Sequence, residues 1–593
     1  MPKSYLTPTS LFFAATMAVL TTPSSAQGLA TLVPMRDGVK LETYIYLPEG
    51  AGPFPTLIAR TMYGPPLSPI GGELMDSSMT IEDFEANGDE DENDEPGENA
   101  GMSQGWPLLT QNGYALVVQT TRGRYGSEGI DRTWRDDGPD GYDLVEWVAK
   151  QPWSNGRIGM FGDSAVGMSA ALAAGAQPPA LDAIFLQATS ADPFGTDMAP
   201  RDGALRTESL LLQGGSLAPE VSSFHLDGRG ITVQESSELI GKASRYVAEL
   251  LNGLEQPLAS AAWVARPLGD VPELTRLMPF WSMLSDSDFL EQYRADTNVL
   301  GKITVPTSIV TLWQDTFVES SMALFADLES RGVASELLVV NGTHYEIDDP
   351  RIFPQPRLLS WFDHWLKDAP APSRLKVEMA VQSDDVFVET STLSDAFAAK
   401  TRLYFGNGEL GSDIGAPGEV AFLSDPGNPV PTLGGRNLLA ASGATDQSAL
   451  IGRSDTALFM GMAAEGGKLL AGHVTGALTI ESDVPSFDAS IRLLDIAPDG
   501  SAILVVSDHV RVSSIRDDIA RVNFDMGEIL HRLKAGHRFA VMIAGSDFPA
   551  WDRNPQTGAS IFTTSEVAVG RLSIQTGPEA GSYIDLPLAA SQE

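Results

Sequence analysis

The sequence predicts an α/β domain that carries a helical insertion and is followed by an all-β region. Apolar strand segments alternate with helical segments up to about residue 192, the alternation stops until about residue 300, and short β-type segments separated by Gly, Pro, Asn and Asp fill the chain from about residue 375. Strand–helix alternation is typical of a parallel sheet covered on both faces. Closely spaced short strands are typical of a sandwich.

Length and composition indicate a globular protein with several domains. The chain has 593 residues, of which 43% are hydrophobic and 20% are charged, and a chain of this length does not form one compact core. The formal net charge of −39 repels nucleic acid and anionic membranes, so we expect neither as a partner. With 0 cysteines the chain can form no disulfide, thiolate nucleophile or cysteine–metal site.

The first 26 residues predict a secretory signal peptide. Lys3 precedes the apolar run LFFAATMAVL, and Ser24 and Ala26 occupy the −3 and −1 positions of a cleavage site. An apolar run of this length is too short to span a bilayer. The sequence therefore predicts a secreted or periplasmic protein, although a buried N-terminal helix remains the alternative.

The first half of the α/β domain follows from local patterns. A hairpin is indicated around the turn Asp37-Gly38, and apolar strands are indicated in FPTLIARTMYG, GYALVVQTT and RIGMFG. The segment between the last two strands carries Leu144, Val145 and Val148 at helical spacing. The acidic stretch 72–99 contains no Lys or Arg and predicts a solvated loop.

The rest of the chain supplies the other predicted domains. Residues 193–300 are helical in pattern, strands and helices resume with TSIVTLW, ELLVVNG and LLSWFDHWLKD, and β-type segments follow APAPSR. The predicted divisions are a signal peptide at 1–26, an α/β domain at 27–192 and 301–372, a helical insertion in that domain at 193–300, and an all-β sandwich at 373–593.

A serine lies where a strand becomes a helix. In Gly-Asp-Ser-Ala-Val-Gly, residues 162–167, glycines flank Ser164, and small alanines follow on the helix. Such a turn projects the hydroxyl from the carboxyl edge of the sheet, and the helix N-terminus directs free amides toward it. The motif is looser than Gly-x-Ser-x-Gly, and a serine that merely caps the helix is the alternative interpretation.

A base and an orienting acid are placed at the same sheet edge. Of 7 histidines, His344 follows the strand ELLVVNG in a loop, and Asp315 follows the strand TSIVTLW after one residue. The order Ser164, Asp315, His344 is that of an α/β-hydrolase triad. Glu319 and Asp348 are the alternative acids.

Six segments, in order, resemble the CocE/NonD serine hydrolases, a family that includes cocaine esterase, α-amino-acid ester hydrolase and X-prolyl dipeptidyl aminopeptidase. The resemblance runs from about residue 30 to the C-terminus, and it implies an α/β-hydrolase domain at 27–192 and 301–372, a helical cap at 193–300 inserted in it, and a C-terminal jelly-roll β-sandwich at 373–593. The segments are VPMRDGVKL, RTMYG, TTRGRYGSEG, DGYDLVEWVAKQPWSNGRIGMFGDS, VPTSIVTLWQDTF and SDFPAWDRNPQTG.

The resemblance implies roles for individual residues. Ser164 becomes the nucleophile, His344 the base and Asp315 its orienter. The amide of Ala165 and the hydroxyl of Tyr63 become the oxyanion hole. This chain departs from the family in having Ala165 where a tyrosine is usual.

We therefore expect a serine hydrolase that cleaves a small ester or amide through an acyl-enzyme, without a metal or organic cofactor. Phe280 and Trp281 of the cap and Trp313 near Asp315 are the predicted substrate contacts. An X-Pro dipeptidyl-peptidase or an aminoacyl-ester hydrolase is the alternative activity. A catalytically inactive binding protein on the same scaffold is the alternative of another class.

Overall fold

The structure is a computed structural model, and it describes residues 28–64, 108–197, 203–207, 221–252, 276–277, 287–344, 346, 355–374, 376–384, 386–414, 417–438, 440–515 and 518–588. The predicted signal peptide and the acidic stretch 72–99 lie outside these residues. Among the residues described, no helix combines the length and the apolar character needed to span a bilayer.

A ten-stranded mixed sheet forms the first half of the molecule, in the order β1-β2-β4-β3-β5-β6-β7-β8-β9-β10. The strands from β4 to β9 along this order run parallel, and β1, β2 and β10 are antiparallel additions at the two edges. The strands are β1 (Gly28–Pro34), β2 (Lys40–Tyr46), β3 (Phe54–Thr61), β4 (Ala115–Thr120), β5 (Ser154–Asp163), β6 (Leu181–Gln187), β7 (Thr307–Gln314), β8 (Ser335–Thr343), β9 (Val377–Ala380) and β10 (Phe387–Thr390).

Helices cover both faces of this sheet, as the continuous apolar strands predict. Ile58 of β3 packs in the core that contains the helix residues Leu144 and Phe325, whereas its neighbour Leu57 packs in the core that contains Phe362. The helices are α1 (Asp137–Val148), α2 (Ser164–Gly175), α3 (Ser223–Gly228), α4 (Val233–Asn252), α5 (Ser287–Thr297), α6 (Val318–Ser330) and α7 (Gln355–Lys367).

The described part of the predicted cap is helical. It contains α3, α4 and α5 and a single π-helical turn at Pro193–Asp197. Its segment 203–207 runs beside the C-terminal region, where the amide of Thr207 donates to the Ala550 carbonyl over 3.1 Å.

The predicted division at residue 373 is too early. Strands β9 and β10 come after it, yet β9 pairs in parallel with β8 and extends the large sheet. Four-residue strands carry too little local pattern to specify a partner, so the tertiary structure decides which sheet they join.

Two antiparallel sheets form the C-terminal β-sandwich, as predicted. One has the order β12-β11-β21-β15-β20-β13 with β18 paired to β15, the other has the order β14-β19-β16-β17, and their inner faces share one apolar core. The strands are β11 (Lys400–Phe405), β12 (Leu410–Gly411), β13 (Gly418–Ser424), β14 (Thr456–Met460), β15 (Lys468–Ser482), β16 (Phe487–Ile496), β17 (Ala502–Val512), β18 (Ile519–Leu533), β19 (Arg538–Ala544), β20 (Gly570–Thr576) and β21 (Tyr583–Pro587).

Candidate active site

Ser164 occupies a strained turn between β5 and α2. Its φ of +48° lies in the left-handed region, which is unusual for a residue other than glycine. The preceding residue, Asp163, is extended with φ −108° and ψ 158°, and the helix begins at Ser164 itself. This geometry is the strained strand-to-helix turn that exposes a nucleophile at the edge of a sheet.

The two flanking glycines allow the turn because nothing larger would fit. A Cβ atom on Gly162 would lie 2.5 Å from the carbonyl carbon of Val166, and one on Gly167 would lie 2.8 Å from Cβ of Thr189. Both distances are far below van der Waals contact. The glycine pattern in the sequence therefore reports a real steric requirement of the turn.

His344 and Asp315 complete a line of three side chains. The Nε2 atom of His344 lies 3.1 Å from Oγ of Ser164, and its Nδ1 atom lies 2.5 Å from Oδ2 of Asp315. Asp315 is fully buried, while the imidazole is 12% exposed. The three residues come from the carboxyl ends of β5, β7 and β8, which the parallel sheet brings to one edge.

Short contacts hold Asp315 and His344 in this arrangement. The other carboxylate oxygen of Asp315 accepts a hydrogen bond of 2.6 Å from the amide of Phe317. The ring of Phe317 meets the imidazole of His344 edge-on, with centroids 5.6 Å apart. A carboxylate fixed on Nδ1 keeps Nε2 of a neutral imidazole available to accept the proton of a serine hydroxyl.

The two predicted oxyanion donors lie at neighbouring strand ends. Ala165 is buried in the first turn of α2, where backbone amides have no intrahelical acceptor. Tyr63 follows the end of β3, which pairs with β5. Its amide donates to Oγ1 of Thr61 over 3.0 Å.

The predicted substrate contacts have different outcomes. Trp313 is fully buried, its indole N–H donates to the Ala380 carbonyl over 2.6 Å, and the ring packs in the main core. This residue therefore joins β7 to β9 instead of facing a substrate. Phe280 and Trp281 lie outside the described residues.

The alternative acids are not part of the line of three side chains. The Glu319 carboxylate accepts a hydrogen bond of 3.0 Å from Arg436. Asp348 lies outside the described residues.

The six other histidines have partners elsewhere. In the hydrolase half, Nδ1 of His364 on α7 lies 2.8 Å from the Ala369 carbonyl. His225 accepts from the Asp131 amide and donates to the Leu277 carbonyl, and burial lowers its pKa. The histidines of the sandwich, each beside a carboxylate, are His473, His509, His531 and His537.

Three supporting residues were missed at the sequence level. The Thr189 hydroxyl donates to the carbonyl of Ser164 over 2.6 Å. The Tyr125 hydroxyl donates to the carbonyl of Tyr63 over 2.8 Å. With Phe317 they stand two to five residues beyond strand ends, and that position is the signal that could have found them.

A cavity of about 540 Å³ adjoins the loops that carry the acid and the histidine. Gln314, Gly342 and Thr343 line it together with residues of the sandwich, and none of the three aligned side chains does. The cavity therefore lies beside the line of three side chains. Among the described residues, no group of three His, Asp or Glu side chains is arranged to hold a metal ion.

Two family descriptions match this chain. Residues 37–346 match "X-Pro dipeptidyl-peptidase (S15 family)", and residues 380–585 match "X-Pro dipeptidyl-peptidase C-terminal non-catalytic domain". The first match covers more than half of the chain and contains Ser164, Asp315 and His344.

One relative and two solved structures match this chain over nearly its whole length. Cocaine esterase of Rhodococcus sp. (strain MB1 Bresler) is 28% identical over 94% of this chain and 97% of its own. An α-amino acid ester hydrolase structure has a TM-score of 0.70 at 22% identity, covering 97% of this chain and 100% of the other. An aminopeptidase from a marine-sediment Thaumarchaeota archaeon has a TM-score of 0.69 at 20% identity, covering 97% and 99%.

Proposed function

The chain belongs to the X-Pro dipeptidyl-peptidase (S15) family of serine hydrolases, and on that premise we propose that it cleaves carboxylic esters through an acyl-enzyme formed on Ser164. The observation that carries the proposal is the line of three side chains, with 3.1 Å from hydroxyl to imidazole and 2.5 Å from imidazole to carboxylate. The ester is favoured because the relative that matches 94% of the chain is an esterase.

The three residues have distinct roles in the proposed reaction. Ser164 attacks the substrate carbonyl while Nε2 of His344 accepts its proton, and His344 then protonates the leaving alcohol. Asp315 keeps Nδ1 protonated and stabilises the imidazolium. Water, deprotonated by the same histidine, attacks the acyl-enzyme and releases the carboxylic acid.

The developing oxyanion is stabilised by the amide of Ala165 and the hydroxyl of Tyr63. A donor aimed at the tetrahedral oxygen contributes about 3 kcal/mol to transition-state stabilisation. The bond from Tyr125 to the carbonyl of Tyr63 supports the proposal because it fixes the loop on which that hydroxyl stands.

Labelling with a fluorophosphonate tests the nucleophile. Wild type should be labelled and should hydrolyse p-nitrophenyl esters, and Ser164→Ala should do neither. Failure to label a folded wild type would favour the inactive binding scaffold instead.

An X-Pro or aminoacyl substrate is the second candidate, because both family descriptions carry the name X-Pro dipeptidyl-peptidase. A panel of p-nitrophenyl esters, aminoacyl esters and X-Pro anilides separates the candidates. If kcat/KM is highest for X-Pro anilides, the ester preference is wrong, although the proposed triad stands.

We also propose that the protein is exported, on the pattern of residues 1–26. Expression of the full chain in a bacterial host with cell fractionation tests this. The expected product lies outside the cytoplasm and begins at Gln27. A cytoplasmic product that retains residue 1 would contradict export.

A further inference from the structure

The loop that carries the orienting acid is held by the C-terminal sandwich. This acid loop, residues 313–319, consists of the last two residues of β7, the connection 315–317 and the first two residues of α6, and has Asp315 near its middle. Within the loop, the amide of Phe317 fixes the Asp315 carboxylate over 2.6 Å. The position of the carboxylate therefore depends on what fixes the loop as a whole.

Arg436, between β13 and β14 of the sandwich, binds both ends of the acid loop. Its Nε donates to the Trp313 carbonyl over 3.2 Å, and its Nη1 donates to the Glu319 carboxylate over 3.0 Å. The side chain is only 8% exposed. One buried guanidinium thus brackets the residue that orients His344.

The same guanidinium is anchored on β18. Its Nη1 donates to the Met526 carbonyl over 3.1 Å, and its Nη2 donates to the Glu528 carbonyl over 2.8 Å. All three guanidinium nitrogens are used, so the planar group has one orientation. Charge-assisted bonds shielded from water are stronger than exposed ones.

A second arginine, Arg206, links the middle of the acid loop to Arg436. Nη1 of Arg206, from the cap segment 203–207, donates to the Thr316 hydroxyl and to the Arg436 carbonyl, each over 2.9 Å. Thr316 directly follows Asp315. The cap and the sandwich therefore meet on the acid loop.

We propose that Arg436 is a positioning residue for Asp315, so that the C-terminal sandwich takes part in building the triad. The proposal rests on the proposed function, since it requires His344 to act as the base. The effect passes from Arg436 through the acid loop to the Asp315 carboxylate, and from there to Nδ1 of His344.

Arg436→Met tests the proposal, with Arg532→Met as the matched control. Arg532 also joins the sandwich to the large sheet, through Asp384 at 3.2 Å, but none of its hydrogen bonds reaches the acid loop. Activity is measured per active site titrated with a fluorophosphonate. Unfolded molecules, which a fluorophosphonate does not label, therefore do not lower the measured kcat.

We expect Arg436→Met to lower kcat about 10- to 100-fold per titrated site, the size of effect that follows from misplacing a catalytic group. KM should change less than about 2-fold, because no substrate contact is removed. The acidic limb of the kcat/KM profile should move to lower pH, since the His344 imidazolium loses part of its stabilisation by Asp315. Arg532→Met should show none of these changes.

A double variant separates positioning from loss of stability. If Arg436 acts through Asp315, Arg436→Met should have little further effect in an Asp315→Asn background. Equal effects in both backgrounds, or a per-site kcat that matches the Arg532→Met control, would overturn the proposal.

A third variant keeps the test decisive if Arg436→Met does not fold. Glu319→Gln weakens the bond from Arg436 to the acid loop and leaves the contacts with β18 intact. It should lower kcat about 3-fold, the size expected from weakening one charge-assisted hydrogen bond, and should move the acidic limb in the same direction. An unchanged kcat and profile for a folded Glu319→Gln would also overturn the proposal.

Failure of the proposed function can be distinguished from failure of the positioning role. It fails if wild-type labelling does not depend on Ser164, whatever the Arg436 variants do. Ser164-dependent labelling together with normal Arg436→Met kinetics would reject only the positioning role.

Discussion

The molecule contains a histidine–aspartate pair in each half, and the two pairs have different surroundings. In the large sheet, His344 lies 2.5 Å from Asp315. In the sandwich, Nε2 of His509 lies 3.1 Å from Asp488. Both carboxylates are buried, so neither burial nor the pairing itself distinguishes a reactive site.

The surroundings of the two imidazoles differ. The second nitrogen of His344 faces the hydroxyl of Ser164. No described residue forms a hydrogen bond with the second nitrogen of His509, whose ring is 1% exposed and lies flat on Trp551 with centroids 4.8 Å apart.

The two carboxylates also differ in their other partners. Arg511 donates two hydrogen bonds to Asp488, over 2.8 and 2.7 Å, and Asn554 donates a third. Arg511 and His509 hold the pKa of Asp488 below its usual range despite burial. Under the proposed function, the His344–Asp315 pair differs from the His509–Asp488 pair because only the first faces the hydroxyl of a proposed nucleophile.

The largest effect should come from removing the hydroxyl that only the first pair faces. Ser164→Ala should lower kcat by about 10⁵-fold, because the residual rate then comes from binding and the oxyanion donors alone. Steady-state hydrolysis of p-nitrophenyl esters measures the loss. Ser482→Ala in the sandwich is the control, and equal activity of the two variants would remove the distinction between the pairs.

Replacing the two aspartates should separate activity from stability. Asp315→Asn should lower kcat by about 10⁴-fold, because the amide favours the wrong imidazole tautomer. Asp488→Asn should lower the free energy of unfolding by about 3 kcal/mol, because the buried Arg511 loses one of its two charged partners, Asp488 and Asp552. Ester hydrolysis per titrated site and denaturant unfolding measure the two effects.

The distinction between the pairs would be lost if Asp488→Asn lowered per-site kcat as far as Asp315→Asn does. It would also be lost if Asp315→Asn left kcat at the wild-type value.

Aromatic support should matter to catalysis only beside the first pair. Phe317→Leu removes the edge-on contact with His344, and we expect kcat/KM to fall about 10-fold, as the loss of an aromatic pair of this kind suggests. Phe459→Leu removes the edge-on contact with Phe405 in the sandwich core, with centroids 4.8 Å apart. That control should lower the unfolding temperature and leave per-site kcat/KM unchanged. If Phe459→Leu lowered per-site kcat/KM and Phe317→Leu did not, the role given to Phe317 in supporting His344 would be contradicted.

The smallest effect concerns a third histidine of the same kind. His473 on β15 lies 2.7 Å from Asp525 and 3.0 Å from Glu528, and hydrogen bonds to these carboxylates raise its pKa to about 10. Since the unfolded value is about 6.5, its stabilisation is complete below that pH and is lost as the pH rises through 10.

His473→Gln should therefore lower the free energy of unfolding by about 1 kcal/mol at pH 6, the upper end for a partly exposed ion pair. The difference from wild type should shrink toward pH 10. Thermal unfolding at several pH values measures it. A difference that grows with pH would contradict a raised pKa for His473.

Much of the site could be predicted from the sequence because its parts are local. The strand, the glycines and the alanine-rich helix around Ser164 specify their own turn. A Cβ atom on Gly162 would clash with Val166, 4 positions away, and one on Gly167 would clash with Thr189, 22 positions away. Asp315 and His344 follow strands that could be recognised by their apolar runs. In a parallel sheet, strand ends of this kind share one edge.

Only the tertiary structure decided the partners that are distant in sequence. Strands β9 and β10 joined the large sheet instead of the sandwich, Trp313 packed inward against β9, and Arg436 reached the acid loop from 121 residues beyond Asp315. The physical reason is that hydrophobic periodicity and turn sterics are set mainly by residues that are near in sequence. A buried hydrogen bond between remote segments exists only once the two halves have packed.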